Sequence, residues 1–94
     1  MISILLRDYL RSRNLYNTEF ADKLGYDPKI VGHWVNGKHV PMWFAANCIL
    51  SLFMAEIHDP TEQKKLTEAF WYLWSFDNKA RKILSLEEIE NEDN

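Results

Sequence analysis

Apolar and polar positions alternate along this chain mostly with the period of a helix. Ile2, Leu5, Leu6, Tyr9 and Leu10 share one face of a first segment, with Arg7, Asp8, Arg11 and Arg13 on the other. This predicts an amphipathic helix ending near Asn14, a residue that tolerates the left-handed conformation of a helix end. Asn17 or Thr18 is placed to cap a second helix over 18–24, in which Phe20, Ala21 and Leu24 form the apolar face. Gly25 then suits a left-handed turn. Asp27-Pro28 restarts the chain, with Asp as N-cap and Pro at the first helical position. Ile30, Val31, Trp34 and Val35 line the inner face of this third helix, over 28–36. Lys29, His33 and Asn36 fall at i, i+4 and i+7 on the outer face.

After the turn at 36–38, Val40-Pro41 precedes a fourth helix over 42–53. It is apolar nearly all round, through Trp43, Phe44, Ala46, Ile49, Leu50, Leu52 and Phe53, and so is expected to be buried on more than one side. Asp59-Pro60-Thr61-Glu62 is a strong helix start. The fifth helix is expected to run to about Phe76, with Leu66, Ala69, Phe70 and Leu73 as its core stripe. Trp71 and Trp74 widen the stripe on one side and Tyr72 and Phe76 on the other. That arc exceeds one packing contact, so these four aromatics are the expected dimer or partner surface. Asp77-Asn78 is a candidate break or bend. Beyond it, 79–84 reads as helix, 83–89 reads as helix or short strand, and Ser85-Leu86-Glu87-Glu88 has capping-box spacing that favours helix.

The resulting expectation is an all-α fold of five helices, with a sixth as an alternative, in one compact domain. Residues 1–56 would hold the two-helix motif, 57–90 a helical extension, and 91–94 a disordered acidic tail. The chain is 94 residues long, 47% hydrophobic and 14% aromatic, enough to build one core. No apolar run reaches the length of a membrane span. The charged start, Arg7 and Asp8, does not suit a secretion signal. A single cysteine fits a reducing cytosol, and Cys48 on its apolar helix is expected to be a structural thiol.

Charge divides along the chain. Residues 1–41 hold six Lys/Arg against four Asp/Glu, while residues 42–94 hold five against ten. A net charge of −3 disfavours a nucleic-acid partner, yet the local field is what counts, and the motif half is weakly basic.

Two helices as short as those over 18–36 need a platform, because isolated helices this short are marginal in water. Small Ala21, turn-forming Gly25 and apolar Val31 and Trp34 resemble the helix-turn-helix of the phage repressor, Cro and Xre family. The ending Trp34-Val35-Asn36-Gly37-Lys38-His39-Val40-Pro41 is similar to that family's W-x-x-G-K/R-x-x-P pattern. The resemblance covers roughly residues 4 to 53. It implies a lambda-repressor-like fold, and a sequence-specific regulator of repressor type, from a phage or mobile element, acting in the bacterial cytoplasm as a homodimer on double-stranded DNA.

On that reading the outer face of the third helix enters the major groove. Lys29 would suit a guanine edge and Asn36 an adenine or a phosphate, and His33 would donate to a base or phosphate. Asn17, Thr18, Lys38 and His39 would face the DNA backbone. Pro28 and Gly32 stand where relatives often carry longer base-reading side chains, so Pro28 offers only apolar contact and Gly32 close backbone approach. Arg11 and Arg13 are mostly solubilising on the same reading.

No metal-ligand spacing, phosphate-binding glycine loop or nucleophile–base frame is found, so neither an enzyme nor a cofactor is expected. The alternative is the same fold used for protein binding, as an inhibitor, antirepressor or anti-defence protein, with or without DNA autoregulation.

Overall fold

The computed structural model describes the backbone of residues 2–92 and the side chains of residues 2–80, Lys82 and Ile83. Over these residues the chain is all-helical, with five helices: α1 (Ile2–Ser12), α2 (Asn17–Leu24), α3 (Pro28–Val35), α4 (Trp43–Met54) and α5 (Pro60–Glu92). None of them is long and apolar enough to cross a membrane.

The first three helices end on the residues that the sequence marked. Asn14 takes φ 53°. The Leu15 N–H donates to Leu10 O (3.0 Å) and the Asn14 N–H to Arg11 O (3.3 Å), which satisfies carbonyls left open at the end of α1. Gly25 (φ 77°) and Gly37 (φ 75°) do the same for α2 and α3. The Tyr26 N–H donates to Ala21 O (3.0 Å), and the Lys38 N–H to His33 O (2.8 Å). At the start of α3, Asp27 accepts from the Lys29 N–H at 2.7 Å, with Pro28 in the first turn.

The cap of α2 is displaced by one residue. Neither Asn17 nor Thr18 caps it; Asn17 is its first residue and Tyr16 the N-cap. Glu19 reaches back to accept from the Tyr16 N–H at 3.1 Å. A carboxylate on the third helical residue can hold the entry without a short polar side chain at the cap itself.

The core gathers Ile2, Leu6, Tyr9 and Leu10 of α1, Phe20 and Ala21 of α2, Val31, Trp34 and Val35 of α3, Ala45, Ala46, Ile49, Leu50 and Phe53 of α4, and Phe70 of α5. Rings connect these layers. Tyr9 lies 5.5 Å from Phe20 and 4.5 Å from Phe53, and Phe53 lies 6.2 Å from Phe70. The series continues through Trp71 to Trp74, at 5.2 and 5.4 Å. α1 packs on α3 and α5, α2 on α3 and α4, and α4 on α5.

Two expectations are corrected. α4 is not buried all round: its first turn and cap, Met42, Trp43 and Phe44, are 79%, 64% and 67% exposed. Pro41 is buried just before them and ties the chain to α5, so the residues that follow stand at the rim.

α5 is also not broken at Asp77-Asn78, and residues 83–89 are helix, not strand. Both polar residues are satisfied without leaving the helix. Asp77 Oδ2 accepts from the Ile2 N–H at 2.9 Å, and Asn78 Nδ2 donates back to Trp74 O at 2.9 Å. Ser85 therefore lies within α5 and opens no new helix. α5 continues through Asn91 to Glu92, where a disordered tail was expected to begin at Asn91. Asp93 and Asn94 lie outside the described residues.

Candidate nucleic-acid interface

α2 and α3 are joined through Gly25, Tyr26 and Asp27 and pack on each other. Their inner faces are committed. Phe20, Ala21 and Val31 are fully buried, and Tyr26 packs edge-on against Trp34 at 5.2 Å. Ile30, expected on the inner face, is instead 45% exposed, since the buried stripe of α3 runs through Val31, Trp34 and Val35; the rest of the outward side is mainly polar. Lys29 and Asn36 are exposed, His33 is half-buried, and Pro28 is exposed at the helix start.

The loop after α3 folds back toward that face. His39 stacks edge-on with His33, ring centroids 5.1 Å apart, and the His39 N–H donates to His33 O at 3.2 Å. Lys38 is exposed beside them. Desolvation pushes the His33 imidazole below its ordinary pKa, and Lys38, His39 and Lys29 push it further in the same direction. Lys38 and Lys29 thus place positive charge near His33, in the following loop and on α3 itself. Asp27 adds an acid close by, but its carboxylate is engaged at the N-cap.

Asn17 and Thr18 open α2 beside this surface. A Cβ built on Gly32 would lie 3.8 Å from Asn17 Nδ2, ordinary van der Waals contact, so the start of α2 lies against the middle of α3. Of the residues expected to meet DNA, Asn17 of α2 is in this way brought next to Gly32 of α3. Lys38 follows in the loop.

Two residues that sequence reasoning did not assign to this surface, Arg7 and Trp74, hold it in place. Arg7 of α1 donates from Nε to Val35 O at 2.8 Å, closing the C-terminal end of α3 with a cation. Arg7 and Arg11 also line an open groove with Leu15, Tyr16, Asn17 and Thr18, which places two more cations at the start of α2. Trp74 Nε1 donates to Pro41 O at 2.8 Å and anchors the far end of the loop. The signal for Arg7 was only its place on the polar side of α1.

Arg13, by contrast, is engaged elsewhere. It pairs with Glu56 and lies over the Tyr9 ring at 4.0 Å. Cys48 is half-buried on α4.

The four expected partner-surface aromatics are divided by the structure. Trp71 and Trp74 are half-buried and packed against their own core, whereas Tyr72 and Phe76 are 72% and 48% exposed. Helical geometry explains the split, since residues 71 and 74 are neighbours on a helix and residue 76 stands above 72.

No protein family, characterised protein or solved structure matches the chain.

Proposed function

We propose that this chain is a sequence-specific regulator that binds double-stranded DNA by placing α3 in the major groove, as a repressor-like protein of phage or mobile-element type. The observation that carries the reading is the polar outer face of α3 and its following loop, where exposed Lys29, Asn36 and Lys38 flank the stacked His33 and His39. Lys29 and Asn36 are the base-edge candidates. Asn17, Thr18 and Lys38 are the phosphate candidates, and the exposed start of α2 adds backbone N–H groups. Gly32 lets the α3 backbone approach closely, and Pro28 offers an apolar contact. Two copies on a near-palindromic site would set their α3 helices about 34 Å apart, and occupancy would block transcription sterically.

The test is a gel-shift titration with DNA from upstream of the chain's own gene, with random competitor present. The wild type is expected to give a discrete complex whose affinity falls with salt, with a log–log slope of roughly −0.9 per phosphate neutralised. Lys29→Ala combined with His33→Ala is expected to abolish that complex while the helical circular dichroism is unchanged. Undiminished affinity in the double variant would refute the role given to α3.

One observation favours a second reading, in which the fold binds a protein. Met42, Trp43 and Phe44 form a run of exposed large apolar side chains at the start of α4. If Trp43→Ala removes function while leaving the DNA complex intact, that reading gains.

A further inference from the structure

α5 turns one side to the core and leaves another bare. Phe70 is buried, Leu66, Leu73 and Trp74 pack beside it, and Asp77 accepts from the Ile2 N–H. Away from that side, Lys65, Tyr72, Phe76 and Ile83 are exposed, Tyr72 to 72% and Ile83 to 58%. Glu68, Ala69 and Lys79 are exposed too, and Ala80 is half-buried. Two aromatic rings and an isoleucine on one bare helix face call for a cover.

These residues are arranged in a definite way. At about 100° per residue, Lys65, Tyr72, Phe76 and Ile83 fall within roughly 40° of one another and form a central stripe. Glu68 and Lys79 lie on one flank of the stripe, and Ala69 and Ala80 on the other, each some 40–60° from its centre. Among the described residues, the side chains of Lys65, Glu68 and Lys79 have no ion pair or hydrogen bond.

We propose that residues 65–83 of α5 pack antiparallel against the same stretch of a second copy, about a twofold axis at position 74. That axis is normal to the plane of the two helices, so it reverses height and keeps each flank facing its like. On the stripe, Tyr72 then meets Phe76 of the other copy, and the Lys65 stem covers Ile83. On one flank Glu68 meets Lys79, an acid with a base. On the other Ala69 meets Ala80, two small side chains that let the backbones approach. All four pairings centre within about half a residue of position 74.

The face is thus its own complement in charge, size and aromatic character, and the occupant is a second copy of this chain. A parallel pairing would set Lys65 on Lys65 and turn Glu68 toward the alanine flank, away from any base. The contact runs about 27 Å and repeats each pairing twice. It supplies the two copies that the DNA reading calls for, but it requires no DNA.

The experiment is sedimentation velocity on the full chain without DNA, from about 1 to 200 μM, since a dimer must respond to concentration. The wild type is expected to dimerise. Tyr72→Ser with Phe76→Ser removes both ring pairs and should raise the Kd by about 100-fold or more, with the helical circular dichroism unchanged. Glu68→Lys turns two exposed attractive pairs repulsive and should raise the Kd about tenfold, as should Lys79→Glu. Mixing those two single variants should restore the dimer, and so should combining both substitutions in one chain.

A wild type that stays monomeric throughout overturns the proposal, as does a dimer indifferent to the loss of Tyr72 and Phe76. Charge reversals without effect, or that neither mixing nor combination rescues, overturn the register. The Lys29→Ala, His33→Ala variant should dimerise like the wild type whatever it does to DNA, which keeps the two readings separable.

Discussion

At the scale of single residues, His33 is the group through which pH should act. Its folded pKa lies below the ordinary value because desolvation and the neighbouring Lys38, His39 and Lys29 disfavour its charged form. The unfolded chain therefore takes up the proton first, and stability should fall as pH drops through the ordinary imidazole range near 6.5. His33→Gln should flatten that part of the curve, measured by thermal melts across pH 5 to 8. DNA binding should respond in the opposite direction. A phosphate beside His33 favours its charged form, so affinity should tighten as pH falls from about 8 to 6. Equal affinities at the two ends would remove His33 from the contact.

Gly32 offers a second separation of fold from function. It sits inside α3 with an ordinary φ, and an added Cβ would meet only Asn17 Nδ2 at 3.8 Å. Gly32→Ala should raise stability by up to about 1 kcal/mol, because alanine loses less backbone freedom in a helix. The same methyl would stand where DNA backbone or base edges approach, so affinity should drop while the melting temperature rises. A variant that gains stability and keeps full affinity would show that nothing comes close to Gly32.

At the scale of helices, what could be read from the sequence follows the range of the forces involved. Asp27, Gly25, Asn14 and Gly37 set helix ends through neighbours within a turn, and the structure places each of them at its helix end. The miss at α2 is small, since Glu19 does the work expected of Asn17 or Thr18. The contacts that fix the motif to its platform join distant residues: Arg7 to Val35 across 28 positions, and Trp74 to Pro41 across 33. No local pattern encodes such pairs.

Asp77-Asn78 illustrates the same limit. Two residues that favour turns in isolation stay helical because Ile2 and Trp74 supply their hydrogen-bond partners. Trp74→Phe tests the anchor directly. Losing the Nε1 donor leaves Pro41 O without that partner and should cost about 1–2 kcal/mol. It should also free the loop that carries Lys38 and His39, so DNA affinity should fall more than that of a surface control. A phenylalanine variant equal to the wild type in both respects would leave the anchor without consequence.

At the scale of the whole molecule, the aromatic series from Phe20 through Tyr9, Phe53 and Phe70 to Trp74 ties all but α3 together, and Glu56 closes one side of it. Glu56 accepts from the Tyr9 hydroxyl at 3.1 Å and pairs with Arg13, joining the end of α1 to the segment after α4. The hydrogen bond from Arg13 holds the Glu56 carboxyl below its usual pKa. Its contribution is therefore present above the unfolded value of about 4.5 and lost as pH falls through the lower folded value. Burial, followed by the hydrogen bond to Glu56, raises the Tyr9 phenol above its ordinary 10.0, so that contribution is lost as pH rises past this range.

Glu56→Gln should therefore melt below the wild type at neutral pH, and the gap should close toward pH 3. The variant should also show a smaller fall above pH 10, since one cause of the Tyr9 shift is gone. The pair is surface-exposed, so the neutral-pH gap should be modest and should shrink with salt. A gap that is constant across pH would mean that Glu56 acts through packing alone, and that the charge between α1 and α4 carries no stability.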